Sequence, residues 1–569
     1  MTLQEALGII NVHRQEAARR RISLVCGFEP LHCSTFLQAR AMQRFPGERV
    51  EVSTGIYDDL AGNIARAKAD NGGAVAIVVE WQDLDPRLGL RAAGGWSSAV
   101  QRDIEETVAA RFDQFAAAIQ DVAADVPVVL AGPCLPLPPL GHTVPQQSSR
   151  FELHLQQEAA AFRYKTSEIP GVRVAHPAAT PLGERLDAKM ALLAGFPYSL
   201  RFADELASVI VDLLYPTAAK KGLIVDLDDT LWRGILGEAG VDGVSWHQEH
   251  HSQVHALFQQ MLGQLAENGV LLAIASKNDA ALVQQALHRP DLLLAADAFF
   301  PVVANWDRKS IAVGQILEAW NILPDSVVFV DDNPMELSEV QSVYPDVTAL
   351  RFTPQDPAAV WTLLTTLRQL FGKPYVHAED KLRASSIRAG AAVRTATHTH
   401  PDGNTEFLGS LAGRVSIDCR AAGADKRSLE LINKTNQFNL NGIRITDGEW
   451  LEAVRAEGAI VANVSYQDKF GPLGKIAVLL GKRQGDDIVV TSWVMSCRAF
   501  SRRIEHHLLA SLFQKFDVAG VQFEFRATER NQPLQDFLRE AGAHFPEQGP
   551  VRISRADFQG RHELPHEVA

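Results

Sequence analysis

Three predicted strands in the middle of the chain, Leu223–Leu227, Val270–Ala275 and Ser326–Val330, each carry a polar motif at the carboxyl end. Asp226 and Asp228 stand at the first, Ser276 follows the second, and Asp331 with Asp332 follows the third. Helix-length segments separate them, such as His251–Asn268 and Ala280–His288. Continuous apolar runs joined by helices belong to a parallel sheet covered on both faces. In such a sheet ligands bind where the strands end. That placement constrains the fold more than any other feature of the chain.

With 569 residues the chain is too long for one core. At roughly 100–200 residues per domain, three or four domains are expected. The first third also alternates strand and helix: Ile22–Phe28, Arg49–Thr54, Ala74–Glu80 and Pro127–Gly132 read as strands, and Ala99–Ala124 as a helix. From about Glu379 the pattern changes to α+β with antiparallel character. Arg383–Ala396 reads as a connecting helix. Long strands at Ala459–Tyr466, Lys475–Leu480 and Asp487–Met495 precede a helix at Arg503–Phe516, a strand at Val521–Phe525 and a helix at Leu534–Glu540. The expected fold class is therefore α/β multidomain, with domains at residues 1–218, 219–375 and 376–569.

The formal net charge of −13 argues against a general nucleic-acid or anionic-membrane binder. The five cysteines form no Cys-x-x-Cys pair, which fits a reducing cytoplasm and thiols that act singly. The first residues lack the pattern of a signal peptide, and no apolar run approaches the ~18 residues of a membrane helix.

Asp226, Asp228, Thr230, Ser276, Lys309, Asp331 and Asp332 occur in the order a phosphoryl-transfer site needs. Unit charges ~4 Å apart interact by ~4 kcal/mol at an effective dielectric near 20. Converging carboxylates therefore call for a cation, and a hard all-oxygen site suits Mg2+. Asp226, Asp228, Asp331 and Asp332 are its candidate ligands. Asp226 is the candidate nucleophile and Asp228 the acid/base, while Ser276 and Lys309 hold phosphate oxygens. Neither Thr230–His251 nor Asn278–Lys309 leaves room for a cap domain, so an open site suited to a macromolecular recipient is expected.

These four motifs resemble the haloacid dehalogenase (HAD) superfamily over about Gly222–Thr353. The C-terminal strand–helix order resembles the GNAT acetyltransferase fold. There the loop Arg498-Ala-Phe-Ser501-Arg-Arg503 replaces glycines that bind coenzyme A pyrophosphate, a departure that counts against direct coenzyme A binding. The combination resembles the FkbH-like proteins of polyketide pathways. Asp226-Leu-Asp-Asp-Thr-Leu-Trp232, Ser276-Lys-Asn278, Phe329-Val-Asp-Asp-Asn-Pro334, Lys434-Thr-Asn-Gln-Phe-Asn439, Asp468-Lys-Phe-Gly471 and Ser492-Trp-Val-Met-Ser-Cys-Arg498 carry the likeness.

The resemblance implies a glyceryl transferase/phosphatase. It would act on D-1,3-bisphosphoglycerate, a small phosphorylated three-carbon substrate, and load the phosphopantetheine thiol of an acyl carrier protein. An alternative is a Mg-dependent phosphatase of small esters with an accessory GNAT-like domain. Cys497 becomes a candidate acyl-carrying nucleophile, because neighbouring arginines and a helix N-terminus lower a thiol pKa. His506 is its candidate base. Lys277, Asn278, Asn436, Gln437 and Arg498 are further candidate substrate-binding residues. The N-terminal third resembles, more faintly, an SGNH or flavodoxin-like α/β domain. It lacks the Gly-Asp-Ser nucleophile block, so a structural or docking role is expected there.

Overall fold

The computed structural model describes residues 1–12, 18–69, 73–92, 97–139, 144, 147–373, 376, 378–388, 408–420, 425–469, 471–496, 499–500, 502–543, 551–559 and 564–568. The chain forms two compact units, Met1–Thr217 with Thr446–Glu452, and Ala218–Ile445 with Ala453–Ala569. The central parallel sheet and the largely antiparallel C-terminal sheet lie together in the second unit.

The first unit holds β1 (Ala18–Val25), β2 (Arg49–Thr54), β3 (Ala74–Val78), β4 (Val128–Ala131) and β5 (Val172–Val174). They form a parallel sheet in the order β2-β1-β3-β4-β5. This is the flavodoxin-like doubly wound order; nothing in the order is specific to an SGNH hydrolase. Alternate residues of β3 explain the two-sided core. Ala74, Ala76 and Val78 pack toward the helices Leu31–Arg44 and Leu200–Leu214, and Val75 and Ile77 toward Gln101–Ala123 and Arg150–Ser167. Cys33 is buried, which pushes its thiol up to about 12, while His32 lies edge-on to Phe196.

The second unit opens with β6 (Gly222–Val225), β7 (Leu271–Ser276), β8 (Phe299–Ala304), β9 (Val327–Asp331) and β10 (Thr348–Arg351). All pairs are parallel, in the order β10-β9-β6-β7-β8. The strand order reverses at β6, between β9 and β7, so the crevice at their carboxyl ends is the topological switch point. Leu223 and Val225 face one core with the helices Gln253–Glu267 and Pro357–Phe371, while Ile224 faces the other with Lys309–Trp320. No domain is inserted between Thr230 and Gln253, where the short helix Leu236–Ala239 and the buried Trp232 and Trp246 fill the segment. Between Asn278 and Lys309 the elements are the helix Ala280–Leu287, one 3-10 turn and β8. The expectation of a capless domain is met.

The third sheet contains β11 (Arg414–Asp418), β12 (Phe438–Asn439), β13 (Ala459–Asp468), β14 (Gly471–Gln484), β15 (Asp487–Met495), β16 (Gly520–Phe523), β17 (Val551–Ser554) and β18 (Glu567–Val568). Its order is β17-β16-β15-β14-β13-β11-β18, with β12 on β15. The long strands are antiparallel, as expected, but β15 and β16 are parallel and joined by the helix Ile504–Phe516.

That parallel pairing ends at Val490–Phe523. Beyond it the chain itself fills the gap. Leu440 donates to the Trp493 carbonyl and accepts from the Arg526 amide, and Asn441 Nδ2 donates to the carbonyls of Thr491 and Glu524. The strand edges in that gap are thus already paired, with no free row of backbone groups for an extended ligand. Of the expected connecting helix, residues 383–388 are helical and 389–396 lie outside the described residues. Among the described residues, no helix is long and apolar enough to cross a membrane.

Candidate active site

The residues after β6 leave the strand in a tight loop. The Leu227 carbonyl accepts from the amides of Thr230, Leu231 and Trp232, at 3.2, 2.8 and 3.2 Å. Asp229 takes the left-handed conformation at φ 51°, which Asp tolerates better than most residues, and its carboxylate accepts from the Gly234 amide. His255 and Gln259, from the helix Gln253–Glu267, hold the carbonyls of Thr230 and Leu231. The loop is therefore fixed from below, and Asp226 remains at the strand end with its amide on the Val330 carbonyl.

Asp226, Asp331 and Asp332 each place a carboxylate oxygen within 4.8 Å of the others. Lys309, the first residue of its helix and 2% exposed, points into this group. Its Nζ lies 2.6 Å from Asp226 Oδ1, 2.9 Å from Asp331 Oδ2 and 3.1 Å from Glu336 Oε2. Thr230 is fully buried; its hydroxyl accepts from the Asp332 amide at 3.1 Å, tying the first motif to the last.

Burial pushes Asp331 up to about 7, with the Asp226 charge adding to it. Burial, then Asp226 and Asp229, lift Asp332 to about 6. Asp226 is also raised by burial, against the pull of Lys309. Burial alone would lower the Lys309 ammonium, but the three surrounding carboxylates more than reverse that. One ammonium thus leaves a surplus of buried negative charge. A hard divalent cation bound by carboxylate oxygens fits that surplus.

Asp228, expected among the metal ligands, is not one of these three. Its Oδ1 accepts from Trp232 Nε1 and the Leu236 amide, each at 3.1 Å, and Oδ2 accepts from Asn278 Nδ2 at 3.0 Å. A carboxyl aimed by three donors is held in a fixed orientation, as an acid/base requires. Asn278 also donates to Ser276 Oγ at 3.0 Å, so the second motif is tied to the first. The Ser276 hydroxyl favours the ionised form of Asp226.

Two participants escaped the sequence reading. Trp232, four residues after Asp228 and fully buried, is a direct partner of its carboxylate. Glu336 lies in the first turn of the helix Pro334–Val343, which Asn333 caps, and bridges Lys309 and Lys277. The only sequence signal for Glu336 was its place just past the acidic pair, at the start of a Pro-led helix.

Cys497 and Arg498 lie outside the described residues. His506 is 2% exposed, edge-on to Phe537 at 5.1 Å, with carboxylate oxygens of Glu505 and Glu540 each 3.5 Å from a ring nitrogen. Its ring is part of the domain core. Asn436 accepts from the Arg444 guanidinium, and Gln437 is half-buried beside it. Asn439 caps the amides of Asn441 and Gly442 and donates to Thr435. This polar run shapes the segment that fills the β15–β16 gap.

No family model matches the chain, and no curated protein matches it. Among solved structures, it is similar to the N-terminal part of the protein BF1531 from Bacteroides fragilis, which contains a phosphatase domain and was crystallised with Mg. That likeness has 19% identity, covers 66% of this chain and 100% of that one, and has a TM-score of 0.49. A second likeness is to the ribosomal-protein-S18-alanine N-acetyltransferase from Escherichia coli, at 12% identity over 24% of this chain and 90% of that one, with a TM-score of 0.18.

Proposed function

We propose that the chain is a magnesium-dependent phosphatase and glyceryl transferase. It would remove phosphate from D-1,3-bisphosphoglycerate and load the glyceryl group onto the phosphopantetheine thiol of an acyl carrier protein. The observation that carries the phosphoryl half is the convergence of Asp226, Asp331 and Asp332 at the switch point of the sheet, with Lys309 against the first two. The acyl half rests on the FkbH-like motifs of the sequence.

In this reading Asp226 attacks phosphorus, a P–O bond to the leaving oxygen breaks, and Asp228 gives that oxygen its proton. Water then attacks the aspartyl phosphate while Asp228 takes a proton back, releasing inorganic phosphate. A magnesium ion held by Asp226, Asp331 and Asp332 supplies positive charge against the phosphoryl oxygens. Lys309 and Ser276 orient the group, and Asn278 and Trp232 hold Asp228 in line.

The chemistry assigns the two phosphates. Removing the acyl phosphate as phosphoryl would leave an unactivated carboxylate, so Asp226 acts on the ester phosphate. The acyl phosphate is spent when a thiol attacks the carbonyl and expels phosphate. Cys497 is the proposed first thiol, and the carrier's pantetheine thiol the second.

The test incubates the protein with 1,3-bisphosphoglycerate, Mg2+ and phosphopantetheinylated carrier protein, and reads the intact carrier by mass spectrometry. The expected result is a glyceryl adduct that disappears in Asp226→Asn and Cys497→Ala. Phosphate release with no adduct on any carrier would reduce the protein to a plain phosphatase.

A further inference from the structure

We infer that Glu339 is a positioning residue for Lys309, acting through the first turn of the helix that carries it. This rests on the reading of Asp226 as the phosphoryl acceptor. Lys309 opens the helix Lys309–Trp320, and the residue before it, Arg308, supplies no side-chain cap. The amides of Ile311 and Ala312 turn back to the Arg308 carbonyl, at 3.0 and 3.4 Å. The Ser310 amide instead donates to Glu339 Oε2 at 3.0 Å, and the Ser310 hydroxyl donates to Oε1 of the same carboxylate. Glu339 belongs to the helix Pro334–Val343, so one helix is capped by another.

That helix follows the acidic pair Asp331 and Asp332 directly. Glu336 and Glu339 stand three residues apart on it and therefore share a face. Glu336 Oε2 lies 3.1 Å from the Lys309 ammonium, while Glu339 holds the backbone one residue further on. Leu337 and Val340 of the same helix share a core with Ala312 and Val313. Lys309 is thus held at both ends, ammonium and backbone, by the segment that delivers Asp331.

Folding alone would not need this arrangement. The helices Ala280–Leu287 and Pro334–Val343 are capped locally, by Asp279 and Asn333. A local cap fixes a helix end only to itself, whereas Glu339 fixes it to the acidic strand end. The Lys309 ammonium must sit 2.6 Å from Asp226 Oδ1 and 2.9 Å from Asp331 Oδ2. A lysine reaches that point on a flexible stem, so any slack in the first turn is passed on to Nζ. Tying the Ser310 backbone removes the slack, and the carboxylate also suits the positive end of the helix.

The experiment is a double-mutant cycle read by turnover of p-nitrophenyl phosphate in Mg2+, with each variant first shown by circular dichroism to be folded at the assay temperature. Glu339→Ala should lower kcat about tenfold with a smaller change in KM. Glu339→Gln, which keeps an acceptor for the Ser310 amide, should recover most of the rate. In a Lys309→Met background Glu339→Ala should cost less than about twofold, because no ammonium is left to misplace. Should Glu339→Ala fail to fold, Ser310→Ala, which removes only the hydroxyl contact, takes its place with the same outcomes. An equal fall in both backgrounds, or a kcat within about twofold of wild type, overturns the positioning role. Turnover that survives Asp226→Asn, a variant outside the cycle, overturns the phosphoryl-acceptor reading instead.

Discussion

Asp332→Asn should make the metal-free protein more stable while removing its response to magnesium. The Asp332 carboxyl is lifted from its ordinary 3.8 to about 6 by burial and by the charges of Asp226 and Asp229. At neutral pH it is ionised in the folded and unfolded states alike, and keeping that charge in the fold costs about 2–3 kcal/mol. Asparagine removes the charge at nearly the same shape. The contacts that hold this residue use its backbone: the amide donates to Thr230, and the carbonyl accepts from Arg351. They survive the change.

The sign follows from linkage. A carboxyl raised in the folded state takes up a proton on folding, so wild-type stability rises as pH falls through about 6 and the gain is complete below 3.8. The advantage of Asp332→Asn should be full at pH 7 and vanish by about pH 4. Thermal unfolding of both proteins in chelator, and in a concentration series of Mg2+, measures this. Wild type should be stabilised by Mg2+ through mass action, and the variant much less. A variant less stable than wild type in chelator at pH 7, or one that gains as much from Mg2+, would refute the account of the cluster as repelling carboxylates awaiting a cation.

Three further outcomes are expected. Thr230→Val strips the half-buried Asp332 amide of its acceptor; denaturant unfolding should show a loss of about 1–2 kcal/mol, and titration a weaker Mg2+ affinity. Trp232→Phe removes one of the three donors to Asp228 while keeping the packing; steady-state kinetics should show about a tenfold fall in kcat with a smaller change in KM. Asp468→Ala takes the carboxylate from the fully buried Arg502 guanidinium, 3.1 Å away; unfolding should show a loss of about 3–5 kcal/mol in this domain.

The parallel sheets were legible because their strands are continuous apolar runs closed by polar residues. The predicted strand Arg49–Thr54 matches β2 residue for residue, and Asp487–Met495 matches β15. The missed strands have physical reasons. β8 carries Pro301, and β5, β8, β10 and β17 lie at sheet edges, where no buried run forms on both faces. β12 is two residues inside a polar stretch, and only its tertiary partners Val494 and Met495 make it a strand.

The spacing of Asp226 and Asp228 illustrates the limit at the site itself. Two residues apart in a strand, they would share a face and could hold one ion together. The chain leaves the strand at Asp226 and turns about the Leu227 carbonyl, so the period of two no longer applies and Asp228 is delivered to Trp232 and Asn278 instead. His506 lies near Cys497 in sequence, but helix geometry turns its ring into the aromatic core.

The two halves of the proposed activity differ in what the chain order can record. A phosphoryl site needs only a few charges fixed at strand ends, and those residues appear in sequence order because each strand delivers its own motif. Transfer of an acyl group needs a thiol and an acceptor brought to a shared substrate. Contacts far apart in sequence set that meeting, and spacing along the chain carries no record of it. In the third sheet the gap beyond the β15–β16 pairing is occupied by Phe438–Gly442, which spends the motif residue Asn439 and the nearby Asn441 on backbone partners.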